Sequence, residues 1–211
     1  MTEQNRKLNL PFLLEPAGKD YLWGGSRLND DFSKNIPMEP LAETWECSTH
    51  PDGPSKVATG ENKGKLLTVL LQEHPEFLGT HPHNILKANN LPENELPILI
   101  KLIDAKNDLS IQVHPDDAYA NEHENGQLGK TEMWYVLDAT KDASLIYGLR
   151  HEVDQQTIRD AVKKGTLEKY LQKVHINKDD VFFVEAGMIH AINAGALIAE
   201  IQESSNLTYR L

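Results

Sequence analysis

Three separated stretches of the chain carry side chains able to hold a divalent cation. In Leu109-Ser110-Ile111-Gln112-Val113-His114 apolar and polar residues alternate. Strand periodicity puts Leu109, Ile111 and Val113 on one face and Ser110, Gln112 and His114 on the other. One face packs; the opposite face presents ligating or hydrogen-bonding groups. Glu132 opens the strongly apolar run Glu132–Leu137, and His190 follows the turn residue Gly187 at the start of another strand-like run. Two neutral imidazoles, a carboxylate and an amide oxygen suit Zn²⁺, Fe²⁺, Mn²⁺ or Co²⁺. Taken singly, each stretch also reads as a half-exposed strand or a strand end, so the expectation to test is their convergence. His81-Pro82-His83 is a rival pair, set aside because it lies in an Asn- and Pro-rich stretch with no neighbouring carboxylate. The single cysteine, Cys47, excludes an internal disulfide and a multi-thiolate metal site, and reads as a small buried hydrophobe. Trp23, Trp45 and Trp134 read as core.

The elements that must position these groups are mostly strands. Pro97–Ile103, Leu109–His114, Glu132–Asp138, Ala143–Gly148, Asp180–Glu185, Ile189–Asn193, Ala196–Ile201 and Asn206–Leu211 are short, apolar or alternating, and rich in β-branched residues. Residues 1–65 are loop-rich, with short strands over Lys7–Leu14, Thr44–Ser48 and Ser55–Ala58. Leu66–Leu71 opens a helix that ends near Pro75, and residues 79–96 read as a loop with at most one helical turn. Asp154–Val174 spaces its apolar residues helically, with Gly165 dividing two short helices. Short strands at regular spacing with a helical excursion predict an antiparallel sandwich or barrel. No second domain boundary is visible.

The 211 residues are 39% hydrophobic and 25% charged, which is globular composition. No apolar run reaches the about 18 residues a membrane span needs. The opening residues Met1–Lys7 show no secretory signal, so a reducing cytoplasm is the expected compartment. Acidic residues outnumber basic ones 32 to 21, for a net charge of −11. That surface demotes nucleic acid and anionic membranes as partners. An anionic ligand would need cations gathered locally, which makes every Lys and Arg near the candidate site informative.

Several of these stretches together resemble the cupin-type mannose-6-phosphate isomerases, in their short bacterial form. Gln112-Val113-His114-Pro115 carries the likeness, preceded by Ile100–Ala105 and followed by Lys130-Thr131-Glu132-Met133-Trp134-Tyr135. Trp23-Gly24-Gly25 with Leu28, and Ala42-Glu43-Thr44-Trp45-Glu46 with Ser48, His50 and Gly53, match earlier family segments. Phe182–Gly187 with His190-Ala191-Ile192, then Glu200–Asn206 with Thr208-Tyr209-Arg210-Leu211, complete the order. The likeness runs from about Pro11 to Leu211, and its motifs occur in the family's order. It implies a mainly β fold, a cupin jelly-roll barrel with a helical insertion near 154–174, occupying residues 1–211 as one catalytic domain. It implies Gln112, His114, Glu132 and His190 as ligands of one zinc ion, Arg210, Glu200 and Lys130 as catalytic residues, and Ser110 and Lys101 near the substrate's phosphate end. Two departures stand out. Glu185 replaces a usual proline, and relatives continue past Arg210 into a second small β-domain.

The implied reaction interconverts mannose 6-phosphate and fructose 6-phosphate by moving a proton between C2 and C1. A divalent metal polarises the substrate oxygens, and a carboxylate or neutral lysine carries the proton. Glu200 interrupts the apolar run Ala196–Ile201; it is either an edge-strand residue or a desolvated carboxylate with a raised pKa suited to that task. Lys101, inside Ile98–Ile103, either snorkels its stem to the surface or faces a polar cavity. Arg210 alternates against Leu207, Tyr209 and Leu211. The other readings are a catalytically silent cupin that binds sugar or sugar phosphate, and metal-dependent oxygenation. The oligomeric state is left open by the sequence.

Overall fold

The computed structural model describes residues 11–88 and 95–211, with the side chains of His83 and Ile85 excepted. Thirteen strands appear among the described residues: β1 (Leu14–Glu15), β2 (Ala17–Lys19), β3 (Glu43–Cys47), β4 (Lys56–Val57), β5 (Ile98–Ala105), β6 (Gln112–Val113), β7 (Glu132–Ala139), β8 (Ser144–Leu149), β9 (Leu171–His175), β10 (Val181–Val184), β11 (His190–Ile192), β12 (Ala196–Glu203) and β13 (Tyr209–Arg210). A six-stranded sheet has the order β10-β7-β12-β5-β3-β2, and a five-stranded sheet has the order β13-β6-β11-β8-β9. Every pairing within them is antiparallel. β1 and β4 form a separate pair.

The two sheets face one another, as the expected cupin jelly roll requires, but among the described residues no backbone ladder closes them into a continuous barrel. Apolar burial joins them instead. The main core combines Ile103, Trp134, Val136, Val184 and Ile198 of the larger sheet with Leu145 and Ile192 of the smaller. At one seam Tyr147 of β8 donates its hydroxyl to the Phe183 carbonyl of β10 at 2.6 Å, satisfying an edge group that has no strand neighbour. A second cluster, Leu28, Leu41 and Leu197, packs the Arg27–Asp30 helix onto the outside of the larger sheet. No helix among the described residues is long and apolar enough to cross a membrane.

Three local expectations change. The stretch 79–96 contains a nine-residue helix, Thr80–Ala88, because a proline in the first turn of a helix costs no hydrogen bond; residues 89–94 lie outside the described residues. Within 154–174, the Gln155–Lys163 helix and the 3₁₀ turn Leu167–Tyr170 are present, but Leu171–His175 is a strand. The three- and four-residue spacing from buried Leu167 to half-buried Tyr170 and buried Leu171 is met by a 3₁₀ turn running straight into β9. Of the strand expected over Lys7–Leu14, only Leu14 is in a strand among the described residues, residues 7–10 lying outside them.

Candidate metal centre and catalytic cavity

Register explains why distant residues meet. Across the smaller sheet, Arg210 lies opposite Gln112, and Gln112 opposite His190. Across the larger sheet, Trp134 lies opposite Glu200, Glu200 opposite Lys101, and Lys101 opposite Trp45. Directly paired residues in adjacent strands point to the same face. Each sheet therefore presents one row of functional side chains to the space between them.

Where the rows meet, His114, Glu132 and His190 converge. Each contributes a ligand atom, and these atoms all lie within 4.8 Å of one another; among the described residues this is the one His/Cys/Asp/Glu group that does so. All three side chains are almost wholly buried, at 1% exposure each. The His114 and His190 Nε2 atoms are 3.2 Å apart, and they lie 3.3 and 3.7 Å from the Glu132 oxygens. The Gln112 amide is 3.3 Å from His190 Nε2. The other ring nitrogen of each histidine is tied to the backbone. His114 Nδ1 donates to the Leu207 carbonyl at 2.7 Å, and His190 Nδ1 donates to the Met188 carbonyl at 2.9 Å. These bonds place the proton on Nδ1 and leave both Nε2 lone pairs turned to the centre, the second-layer support expected of metal-ligating imidazoles.

Glu132 supplies the test of fit. Both of its carboxylate oxygens are buried and accept no directed hydrogen bond. Lys130 Nζ sits 2.6 Å from one of them, an ion pair without hydrogen-bond alignment, and 3.2 Å from His114 Nε2. Burial pushes the Glu132 carboxyl up, but the Lys130 ammonium beside it leads the opposing causes, and together they hold it well below the usual carboxylate range. Burial lowers the His190 imidazole, disfavouring its charged form. An ionised carboxylate with unfilled lone pairs beside two imidazoles and an amide is a donor set suited to a divalent cation.

Local sequence fixes these positions. Gly187 adopts φ 86°, and its N–H bonds the His114 carbonyl at 2.8 Å, clamping the two histidine segments together. Asp116 caps the Asp117–His123 helix through the Tyr119 N–H, and the Asp117 carboxylate accepts from the Gly129 N–H. A Cβ on Gly129 would lie 2.5 Å from the backbone of Asp116 and Asp117, so glycine is required where the loop to Lys130 crosses the helix start.

A cavity of about 350 Å³ opens beside the centre, lined by Gln112, Lys130, Glu200, Lys101, Ser110 and Arg210. Every residue expected at the site thus lies on this cavity or directly behind it. Lys101 is cavity-facing, not snorkelling: it is 3% exposed, and its ammonium lies 3.2 Å from Glu200. Glu200 is buried, and its other oxygen accepts from Trp134 Nε1 at 2.9 Å. Arg210 is exposed and makes no ion pair among the described residues. His81 is exposed on the Thr80–Ala88 helix, apart from the site. Cys47 is half-buried, and burial raises its thiol pKa.

The sequence did not single out Glu43, Tyr21, Asn206 or Thr208, all of which line the cavity, and it assigned Trp23 to the core. Trp23 does pack on the core edge, yet it also lines the cavity and stacks on Tyr21 at 5.5 Å. For Glu43 there was a legible signal: it shares a strand face with Trp45, so an acid alternates with a core residue. A larger cavity, about 530 Å³, lies between Gly24–Arg27 and Asp104–Asn107, away from the metal donors.

Comparison with known proteins places this geometry. The family model "Phosphomannose isomerase type I, catalytic domain" matches residues 12–142. The probable mannose-6-phosphate isomerase GmuF of Bacillus subtilis (strain 168) is 41% identical over 202 residues, covering 95% of this chain and 60% of its own. The mannose-6-phosphate isomerase of Streptococcus mutans is also 41% identical, with the same coverage. The crystal structure of the Bacillus subtilis mannose 6-phosphate isomerase superposes with a TM-score of 0.85 at 41% identity, again over 95% of this chain and 60% of that one. The chain spans about 60% of the length of these relatives, and it belongs to the type I phosphomannose isomerase catalytic-domain family.

Proposed function

We propose that the chain is a zinc-dependent aldose–ketose isomerase that interconverts mannose 6-phosphate and fructose 6-phosphate. The observation that carries this is Glu132, a buried carboxylate with two unfilled oxygens beside two imidazoles whose Nδ1 atoms are tied to backbone carbonyls, directly behind a cavity lined by two glutamates, two lysines and an arginine. Gln112, His114, Glu132 and His190 would hold the metal. Bound there, zinc supplies Lewis-acid polarisation of the sugar oxygens and stabilises the oxyanion that forms when the carbon acid ionises.

The chain's own groups do the rest. Glu200, aimed into the cavity and steadied by the Trp134 N–H, carries the proton between C2 and C1. Lys130 stands beside Glu132 and the metal centre, where its ammonium counters negative charge developing on the substrate. Arg210 and the Ser110 hydroxyl lie on the cavity wall with Lys101, and Arg210 is the cation free of a carboxylate, suited to the phosphate. The unpaired, half-buried cysteine suits the cytoplasm, where the substrate would be met.

A coupled assay following fructose 6-phosphate formation from mannose 6-phosphate tests this. Turnover that is abolished by chelation and restored by zinc is the expected result. Turnover that survives complete metal removal would overturn it, and metal and ligand binding without turnover would select a silent sugar-phosphate binder.

A further inference from the structure

The cross-strand row on the larger sheet contains more than the proposed reaction uses. Lys101 lies between two carboxylates: Glu200 Oε1 at 3.2 Å and Glu43 Oε2 at 3.9 Å. Each carboxylate is held by an indole. Trp134 Nε1 donates to Glu200 at 2.9 Å, and Trp45 Nε1 donates to Glu43 at 2.7 Å. The Lys101 ammonium also lies 4.9 Å from the Trp45 ring centroid. Trp45 and Trp134 are fully buried, and Glu43, Lys101 and Glu200 are each at least nine-tenths buried. Burial alone would lower the lysine, but Glu43, Glu200 and Glu132 together hold it above its ordinary value.

Counting charges decides the role. Two carboxylates against one ammonium leave the cluster at −1, so Lys101 offers no spare positive charge to an anionic ligand. A dianionic phosphate is repelled from this end of the cavity and drawn to the end holding Arg210. We propose that Glu43 and Lys101 are positioning residues: Glu43 anchors the Lys101 ammonium, and Lys101 fixes the Glu200 carboxylate so that it stays aimed at the sugar carbons. This rests on the isomerase reading for its kinetic test, and it assigns Glu43 a role that nothing in the reaction scheme yet gives it. Removing the Glu43 charge frees the ammonium to move toward Glu200 alone, which draws that carboxylate out of line with the sugar carbons without touching substrate affinity.

The test is a double-mutant cycle on zinc-loaded protein with Glu43→Gln, Lys101→Met and the pair, each checked for zinc content. Glu43→Gln is expected to lower kcat about tenfold with KM within about twofold, Lys101→Met to lower kcat further at similar KM, and the double variant to match Lys101→Met. A rise in KM with kcat retained in Lys101→Met, which a phosphate-binding lysine would give, overturns the proposal, as do multiplicative effects in the double variant. A second measurement does not depend on turnover. In protein labelled with ¹⁵N-lysine, a buried ammonium paired with two carboxylates gives a slowly exchanging Nζ resonance, assigned by its loss in Lys101→Met. A shift of that resonance in Glu43→Gln supports the cluster, and an unchanged resonance overturns it. Wild-type protein that does not turn over mannose 6-phosphate defeats the isomerase reading, while the resonance still decides the cluster.

Discussion

Glu132 is costly in the metal-free protein and necessary in the loaded one. Its charge is offset there by Lys130 at 2.6 Å, and both side chains are buried. Glu132→Gln removes a metal donor and strands the Lys130 ammonium. Breaking one partner of a buried pair costs about 3–5 kcal/mol, whereas replacing both with apolar groups is often neutral. We therefore expect Glu132→Gln to lose zinc and about that much stability in urea titration, and Glu132→Gln/Lys130→Met to regain the stability without regaining zinc. A single variant that binds a full equivalent of zinc would refute the ligand assignment. Asp104 gives a second test, outside the site. It is 3% exposed, and burial raises its carboxyl, against the Arg27 N–H that it accepts at 2.9 Å. A raised carboxyl contributes stability that is fully present below the ordinary value of 3.8 and is lost as pH rises through the raised value. Asp104→Asn does not titrate. Its stability relative to the wild type should therefore improve between about pH 4 and pH 7, as followed by thermal melts across that range. The candidate donors Gln112 and His114 were legible in the sequence because alternation puts Ser110, Gln112 and His114 on one face. Glu43 was legible only as an acid alternating with a core residue, because its partner Lys101 is on a strand more than fifty residues away in the chain.

Elements aim these residues through a few backbone positions. Gly187 has φ 86°, and a Cβ there would meet nothing within 4 Å, so Gly187→Ala tests conformation alone. A non-glycine residue at positive φ costs about 1–2 kcal/mol, which lowers Tm by about 2–8 °C for a chain of this size. Because the Gly187 N–H clamps the His114 segment, zinc affinity should fall with it, measurable by competition with a chelating dye. Gly24→Ala is different in kind. Its Cβ would lie 2.4 Å from the Ala42 Cα, where backbone meets backbone, so it should destabilise more than Gly187→Ala while leaving zinc affinity unchanged. Equal zinc loss in both variants would show that the Gly187 turn has no special part in the site. The strand series from Pro97 onward was readable from periodicity because β5, β7 and β12 are long enough to show it. The nine-residue helix over Thr80–Ala88 was hidden by a proline that is harmless in a first turn. β9 was hidden because three- and four-residue spacing is shared by a helix and by a 3₁₀ turn followed by a strand.

At the scale of the molecule, the proposed metal site would be a cross-link. Gln112 and His190 belong to the smaller sheet, with His114 immediately after β6, whereas Glu132 opens β7 of the larger sheet. Among the described residues no backbone ladder closes the two sheets on each other, so their association depends on the shared core, a few seam contacts such as Tyr147 to Phe183, and any ion that the four candidate donors would bridge. An ion that binds the native state alone stabilises it by RT ln(1 + [L]/Kd), about 2.7 kcal/mol at a hundredfold excess over Kd. For a chain of this length that corresponds to about 5–11 °C in Tm. Chelation should therefore lower Tm by that amount, and stoichiometric zinc should restore it. Hydrogen exchange should localise the loss to the ends of β6, β7 and β11, leaving the middle of β5 and β12 protected, because those two strands lie inside the larger sheet and carry none of the four donors. A Tm indifferent to chelation, or protection lost evenly across both sheets, would mean that the core alone holds the sheets together and that the four donors bear no load between them.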